Sequence, residues 1–110
     1  MNLIYRCNTG DTYRPITAVL RDEDGALVNI AAATAVAFSM QNESMVVKVS
    51  AAAGYVVSVS DSTIAYQQTG ADMDTPGIYI GQFKLTYPTG VDTYPAEGYV
   101  EVRIQQSIVT

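Results

Sequence analysis

Among the side chains that could do chemistry, histidine is missing from this chain altogether. Its absence removes the commonest general acid–base, the usual zinc ligand and the base of Ser-His-Asp or Cys-His machinery. The single cysteine, Cys7, cannot close an intrachain disulfide or build a Cys-rich metal site. The stretch around it holds no paired base, so it reads as a passive thiol. Carboxylates cluster only as Asp22-Glu23-Asp24 and as Asp72-Met73-Asp74. A hard cation needs several oxygens converging at once, and neither cluster reaches that count. The first lacks the spacing and closing glutamate of a helix-loop-helix calcium site, and the Gly25 that follows it marks a tight turn. The second reads as ordering the turn before Thr75-Pro76-Gly77. A glycosidase needs two carboxyl groups facing across a cleft, and nothing selects such a pair from the 11 acidic residues. The expectation is a non-enzyme with no catalytic residue, no metal site and no cofactor.

The remaining candidates are contact residues. Tyrosines bind sugars by stacking, but Tyr79 and Tyr87 alternate with apolar core positions and read as packing. That leaves Tyr13, Tyr94 and Tyr99 as tyrosines able to face a partner. The six basic residues, Arg6, Arg14, Arg21, Lys48, Lys84 and Arg103, are scattered along a chain of net charge −5. Such a chain repels phosphate backbones, which excludes nucleic acid as the expected partner. No basic-then-apolar leader opens the sequence, and no apolar run is long enough to cross a membrane as a helix. Membrane binding and secretion are therefore not expected, and the cysteine-poor composition suits synthesis in a reducing cytoplasm.

The elements that must position these residues read as strands. With 110 residues, 48% hydrophobic and 15% charged, the chain is too apolar for disorder and fits one domain, 1–110, able to bury about two-thirds of its unfolded surface. Pro15 to Arg21 alternates, with Ile16, Ala18 and Leu20 on one face. Asp22 to Gly25 then turns the chain so that Ala26 to Val28 returns as a short partner. Asn29 to Thr34 is too short for a stable helix and carries the chain toward another sheet as a single turn. Val36, Phe38 and Met40 share a face. Gln41 to Ser44 turns the chain again, and Met45 to Ser50 runs back. Ala51 to Gly54 breaks the pattern, Tyr55, Val57 and Val59 resume it, and Ile64 with Tyr66 forms a short apolar pair. The clearest alternation is Tyr79, Gly81, Phe83, Leu85 and Tyr87; after Pro88-Thr89-Gly90 the return begins at Val91, and Val100, Val102 and Ile104 follow on one face. Roughly seven to eight short strands without helical periodicity predict an antiparallel β-sandwich. Its expected core includes Ile16, Leu20, Val36, Phe38, Met40, Tyr79, Phe83, Leu85, Val100 and Val102.

Asp74-Thr75-Pro76-Gly77-Ile78-Tyr79 places a glycine two residues before a tyrosine at a strand start, as in a tyrosine corner, whose phenol hydrogen-bonds the preceding loop. Antibody domains carry a cysteine two residues after that tyrosine; here Gly81 stands there. Taken with Gly10-Asp11-Thr12, Pro15, Ala18 to Leu20, Asp22 to Gly25, Val28, Val36 to Met40, Phe83, Tyr87-Pro88-Thr89-Gly90 and Thr93-Tyr94-Pro95, this segment resembles the immunoglobulin-like N-terminal domain of phage baseplate upper proteins. The same module recurs in other small tail and neck proteins of tailed bacteriophages. The resemblance spans roughly Gly10 to Ile104 and carries no catalytic signature.

It implies an immunoglobulin-like sandwich serving as a virion part: a tail, neck or baseplate adaptor that is made in the host bacterial cytoplasm. Such a part docks onto other phage proteins and is present in many copies or as a symmetric homo-oligomer. The chain stops at Thr110, without the long helical or receptor-binding portion of the larger baseplate proteins, which turns the expectation from host recognition to an accessory role. The rival from another class is a carbohydrate-binding or adhesion module. For docking, the expected contact residues are Leu3, Ile4, Tyr5, Tyr94, Tyr99, Ile108 and Val109, because both chain ends are apolar and lie outside the clearest strand pairs. The plainer alternative is that the ends extend edge strands, which themselves invite pairing.

Overall fold

The computed structural model describes residues 3–22, 24–94 and 100–108, with Leu3 by its backbone alone. Among these are nine strands and no helix: β1 (Leu3–Asn8), β2 (Ile16–Val19), β3 (Ala35–Asn42), β4 (Val47–Ala53), β5 (Tyr55–Ser58), β6 (Thr63–Tyr66), β7 (Gly77–Tyr87), β8 (Gly90–Tyr94) and β9 (Val100–Gln105). They form a β-sandwich. The larger sheet runs β1-β9-β7-β3-β4 with β8 also on β7, and the smaller runs β2-β6-β5. The expected core is present in full: Ile16, Leu20, Val36, Phe38, Met40, Tyr79, Phe83, Leu85, Val100 and Val102 are all buried, joined by Ile30, Ile64 and Met73.

The strand β7 organises the larger sheet. Its inward residues Tyr79, Gly81, Phe83 and Leu85 are buried while Gln82 and Lys84 point out, the period of two that a half-covered strand requires. One flank carries β3 along its length, from Ala35 opposite Thr86 to Asn42 opposite Tyr79. The other flank is shared: β9 pairs with Gly77 to Gly81, and β8 pairs with Phe83 to Tyr87. This split is why the sheet holds more strands than the alternation predicts.

Between the sheets, Phe38 stacks on Tyr66 of the smaller sheet with ring centroids 5.1 Å apart and planes 17° from parallel, and meets Phe83 at 4.9 Å in a tilted pair. Gly81 makes this possible. A Cβ there would lie 2.7 Å from the Phe38 ring and 3.0 Å from the Ser39 carbonyl oxygen, so the space beside Gly81 is filled by an aromatic ring.

The turns follow their residue chemistry. Asp22 accepts from the backbone N–H groups of Asp24 and Ala26 through its carboxylate, and Gly25 takes φ +83°. The expected return strand after it is reduced to one bridge, Arg21 opposite Leu27. Residues 31 and 32 form the anticipated single turn, closed by Ala33 N–H donating to Ile30. Asn42 caps the β3–β4 hairpin by accepting from Ser44 and Val46. The expected break at Ala51 to Gly54 is different in kind: β4 continues to Ala53 through an irregular register beside Met40, with Ala51 at φ 48° and its N–H bonded to Ser39 Oγ. This is how a strand absorbs an extra residue without ending. Gly54 alone separates β4 from β5. Its N–H donates to Val36, and a Cβ on it would lie 2.6 Å from the Ala65 carbonyl oxygen.

One pairing departs from the antiparallel expectation. β1 lies parallel to β9, from Leu3 opposite Val100 to Asn8 opposite Gln105. The N-terminal segment is thus an edge strand of the larger sheet and not an arm outside the strand pairs.

Candidate interaction surfaces

The expected contact residues divide once placed. Tyr5 on β1 is half-buried. Its hydroxyl donates to the Arg14 carbonyl at 2.6 Å and accepts from the Gln68 amide at 2.9 Å, while the Arg14 guanidinium sits 5.4 Å from its ring centre. Burial pushes its phenol above the ordinary range. The same Gln68 amide donates to the Arg14 carbonyl at 2.7 Å, and Arg14 donates to the Arg6 carbonyl. Tyr5 therefore welds β1 to the segment before β2 and to the segment after β6. Cys7, two residues on, faces the core beside Met73, its sulfur 3.7 Å from the methionine sulfur. Desolvation raises its thiol pKa, as a passive thiol requires.

Tyr94 is tied into the fold in the same way. It is partly buried against the core, and its hydroxyl donates to the Val19 carbonyl at 2.8 Å, tying β8 of one sheet to β2 of the other. Burial raises its phenol pKa as well. Ile4 stays open on the outer face of the larger sheet, and Ile108 is 92% exposed. The chain reaches Ile108 past Ser107, whose N–H donates to Thr9 Oγ1 beside the end of β1. Tyr13 is almost fully exposed. Tyr99, Val109 and the Leu3 side chain lie outside the described residues.

The two carboxylate clusters hold the chain in shape. Asp72 accepts from the Tyr66 hydroxyl at 2.6 Å and from the Thr69 N–H at 2.9 Å, closing the turn after β6. Desolvation first, and the bond to Asp72 second, push the Tyr66 phenol far above its ordinary value. Asp74 meets Lys48 at 2.5 Å and Thr75 Oγ1 at 2.8 Å. Lys48 holds the Asp74 carboxyl below its usual range, but the pair is solvent-exposed and adds little stability. Among the described residues no group of three or more His, Cys, Asp or Glu side chains converges.

No family model, curated protein or solved structure matches this chain.

Two surface features were not anticipated. A shallow groove of about 330 Å³ on the outer face of the larger sheet is lined by Gln41, Ser39, Ser50, Val47, Ile80 and Gln82. It has no charge and no nucleophile paired with a base. The second is the free edge of β5, where Tyr55, Val56, Val57 and the following Val59 are all substantially exposed. Its sequence signal is the absence of any charged side chain between Lys48 and Asp61.

Proposed function

We propose that this chain is a non-enzymatic structural component of a tailed-bacteriophage virion, an immunoglobulin-like adaptor that docks onto other virion proteins. The observation that supports the immunoglobulin-like part of the reading is the corner at Tyr79. Its hydroxyl donates to the Thr75 carbonyl at 2.9 Å, the back-bond that a tyrosine corner makes to the loop upstream. This corner sits on β7, inside a strand order that supports the same fold. β2-β6-β5 facing β9-β7-β3-β4 corresponds to strands B-E-D facing G-F-C-C′ of an immunoglobulin variable-type sandwich. In that lettering Phe38 lies on strand C, where antibody domains keep a buried tryptophan, and packs over Gly81 on strand F.

The virion role rests on the resemblance of these turns and core positions to the baseplate upper protein module. A framework of aromatic packing in place of a disulfide suits a part assembled in a reducing cytoplasm. The carbohydrate-binding rival drew on Tyr94 and Tyr99, and the Tyr94 hydroxyl is already engaged with Val19. Peptide mass spectrometry of purified particles from the phage that encodes the gene tests the proposal. Recovery of the chain in stoichiometric amounts, with portal, tail-tube or baseplate genes beside its own, is the expected result. Absence from particles, together with glycan-array binding lost on Tyr99→Ala, overturns it.

A further inference from the structure

We infer that the β5 edge is a homodimer interface, in which β5 of one chain pairs antiparallel with β5 of a second copy across a two-fold axis. The inference does not rest on the virion reading. Among the described residues β5 pairs in a sheet with β6 alone, so its outer backbone groups face away from the sheet. Successive strand residues point to opposite faces, yet Val56 and Val57 are 37% and 55% exposed, and Tyr55 and Val59 are 43% and 49% exposed. The strand therefore projects past the cover of the opposing sheet on both faces. A lone edge of this kind is a template for another strand, and soluble proteins blunt it with lysine, proline or inward charges. None of these occurs between Lys48 and Asp61.

The other short strand without a buried residue, β8, makes the contrast. It carries Asp92 and Thr93 and is tied down by Tyr94. The β1 edge carries Arg6 and is closed by the Tyr5 network.

The occupant follows from charge and from where the chain ends lie. A partner strand bearing charges would be desolvated against an edge whose nearest charge, Asp61, lies at one end, where Ser58 Oγ donates to its carboxylate at 3.4 Å. The chain's own C-terminal residues leave beside Thr9, on the β1 side of the larger sheet, whereas β5 continues from β4 at its opposite edge. A two-fold contact places the same patch on both sides and must be complementary to itself. A chain of net charge −5 repels its copy over most surfaces, and this uncharged, valine-bearing edge is a place where that repulsion is weakest. The register shift between Val56 and Ser58 against β6 interrupts the regular run of β5, so the edge contact is small and the dimer a weak one.

Sedimentation equilibrium of the full chain across micromolar concentrations tests this. The expected result is a concentration-dependent dimer, abolished over that range by Val57→Lys and retained by Val91→Lys, an equally exposed valine on the β8 edge. Hydrogen exchange on the unmodified chain supplies a readout that needs no variant: backbone N–H protection at Tyr55 to Val59 rises with protein concentration. A monomer at every concentration overturns the proposal, as does a dimer that survives in folded Val57→Lys or protection that does not depend on concentration.

Discussion

β7 and β5 look alike as strings of letters and behave as opposites in the fold. Both alternate bulky apolar residues: Tyr79, Phe83 and Leu85 in one, Tyr55 and Val57, with Val59 just beyond, in the other. The first set is buried and the second is exposed. The difference lies in what surrounds each strand. β7 has partners on both flanks and the smaller sheet across its inner face, while β5 has β6 alone. Alternation thus reports which residues can face a core, and the presence of neighbours decides whether a core is there. β5 also carries valine at the intervening position, Val56, so its pattern does not distinguish an inner face from an outer one.

The largest expected effect separates the two strands directly. Phe83 is fully buried between β3 and β8 and against the Phe38 ring. Phe83→Ala removes a ring that its packed neighbours cannot replace, at a cost of about 3–5 kcal/mol in chemical denaturation. A loss below about 1 kcal/mol would mean that β7 is as loosely covered as β5.

Next come the glycines that let each strand approach its neighbours. Gly81→Ala on β7 pushes a methyl group into the Phe38 ring, and Gly54→Ala at the start of β5 pushes one into the Ala65 carbonyl. Overpacking of this kind costs about 1–3 kcal/mol. The ring can tilt and the backbone carbonyl cannot, so Gly54→Ala is expected to be the more damaging of the two in thermal melts. A reversed order would show that the β4–β5 corner yields as a unit and that β5 is only weakly moored.

Alkaline pH probes the strand between them. Tyr66 on β6 keeps its proton well above 10.0 in the folded chain, through burial and then through its bond to Asp72. In the unfolded chain the phenol ionises near its ordinary value. The folded state therefore binds more protons above that value, and stability falls with rising pH there. The contribution is whole below about pH 10 and disappears as pH climbs through the folded-state pKa. Tyr66→Phe should flatten the decline in melting temperature above about pH 10. Tyr5 and Tyr94 are shifted in the same direction by burial, so the decline should shrink without vanishing.

The contrast between the strands also marks what was legible beforehand. Core positions such as Phe38, Phe83 and Val102 could be read from the alternation because each sits on a strand flanked on both sides. The Tyr79 back-bond was legible because it is local, spanning four residues from Thr75. The roles of Tyr5 and Tyr94 were not, since their hydroxyl partners Arg14 and Val19 lie 9 and 75 residues away and become neighbours only once the sheets are assembled. The N-terminal segment was legible as one of two alternatives, an edge strand, but not its pairing: its partner β9 lies at the other end of the chain. What distinguishes the β5 edge, a run without charge, was visible in the letters but has meaning only when the strand is known to lack a second neighbour.

The smallest expected effect is the most discriminating. Val57→Thr keeps the branched shape and strand propensity of valine and replaces one methyl group by a hydroxyl on a side chain already 55% exposed. In the folded monomer it is exposed and not among the residues packed against the core, so its effect on dilute-solution stability should stay within about 0.5 kcal/mol. If Val57 faces its copy across a dimer, the same change buries a hydroxyl in an apolar contact and weakens association about tenfold, roughly 1.4 kcal/mol. A near-silent melt with a tenfold weaker dimer would separate the edge's role in association from its role in folding. A substantial loss in the melt would instead place Val57 in the core that its exposure excludes.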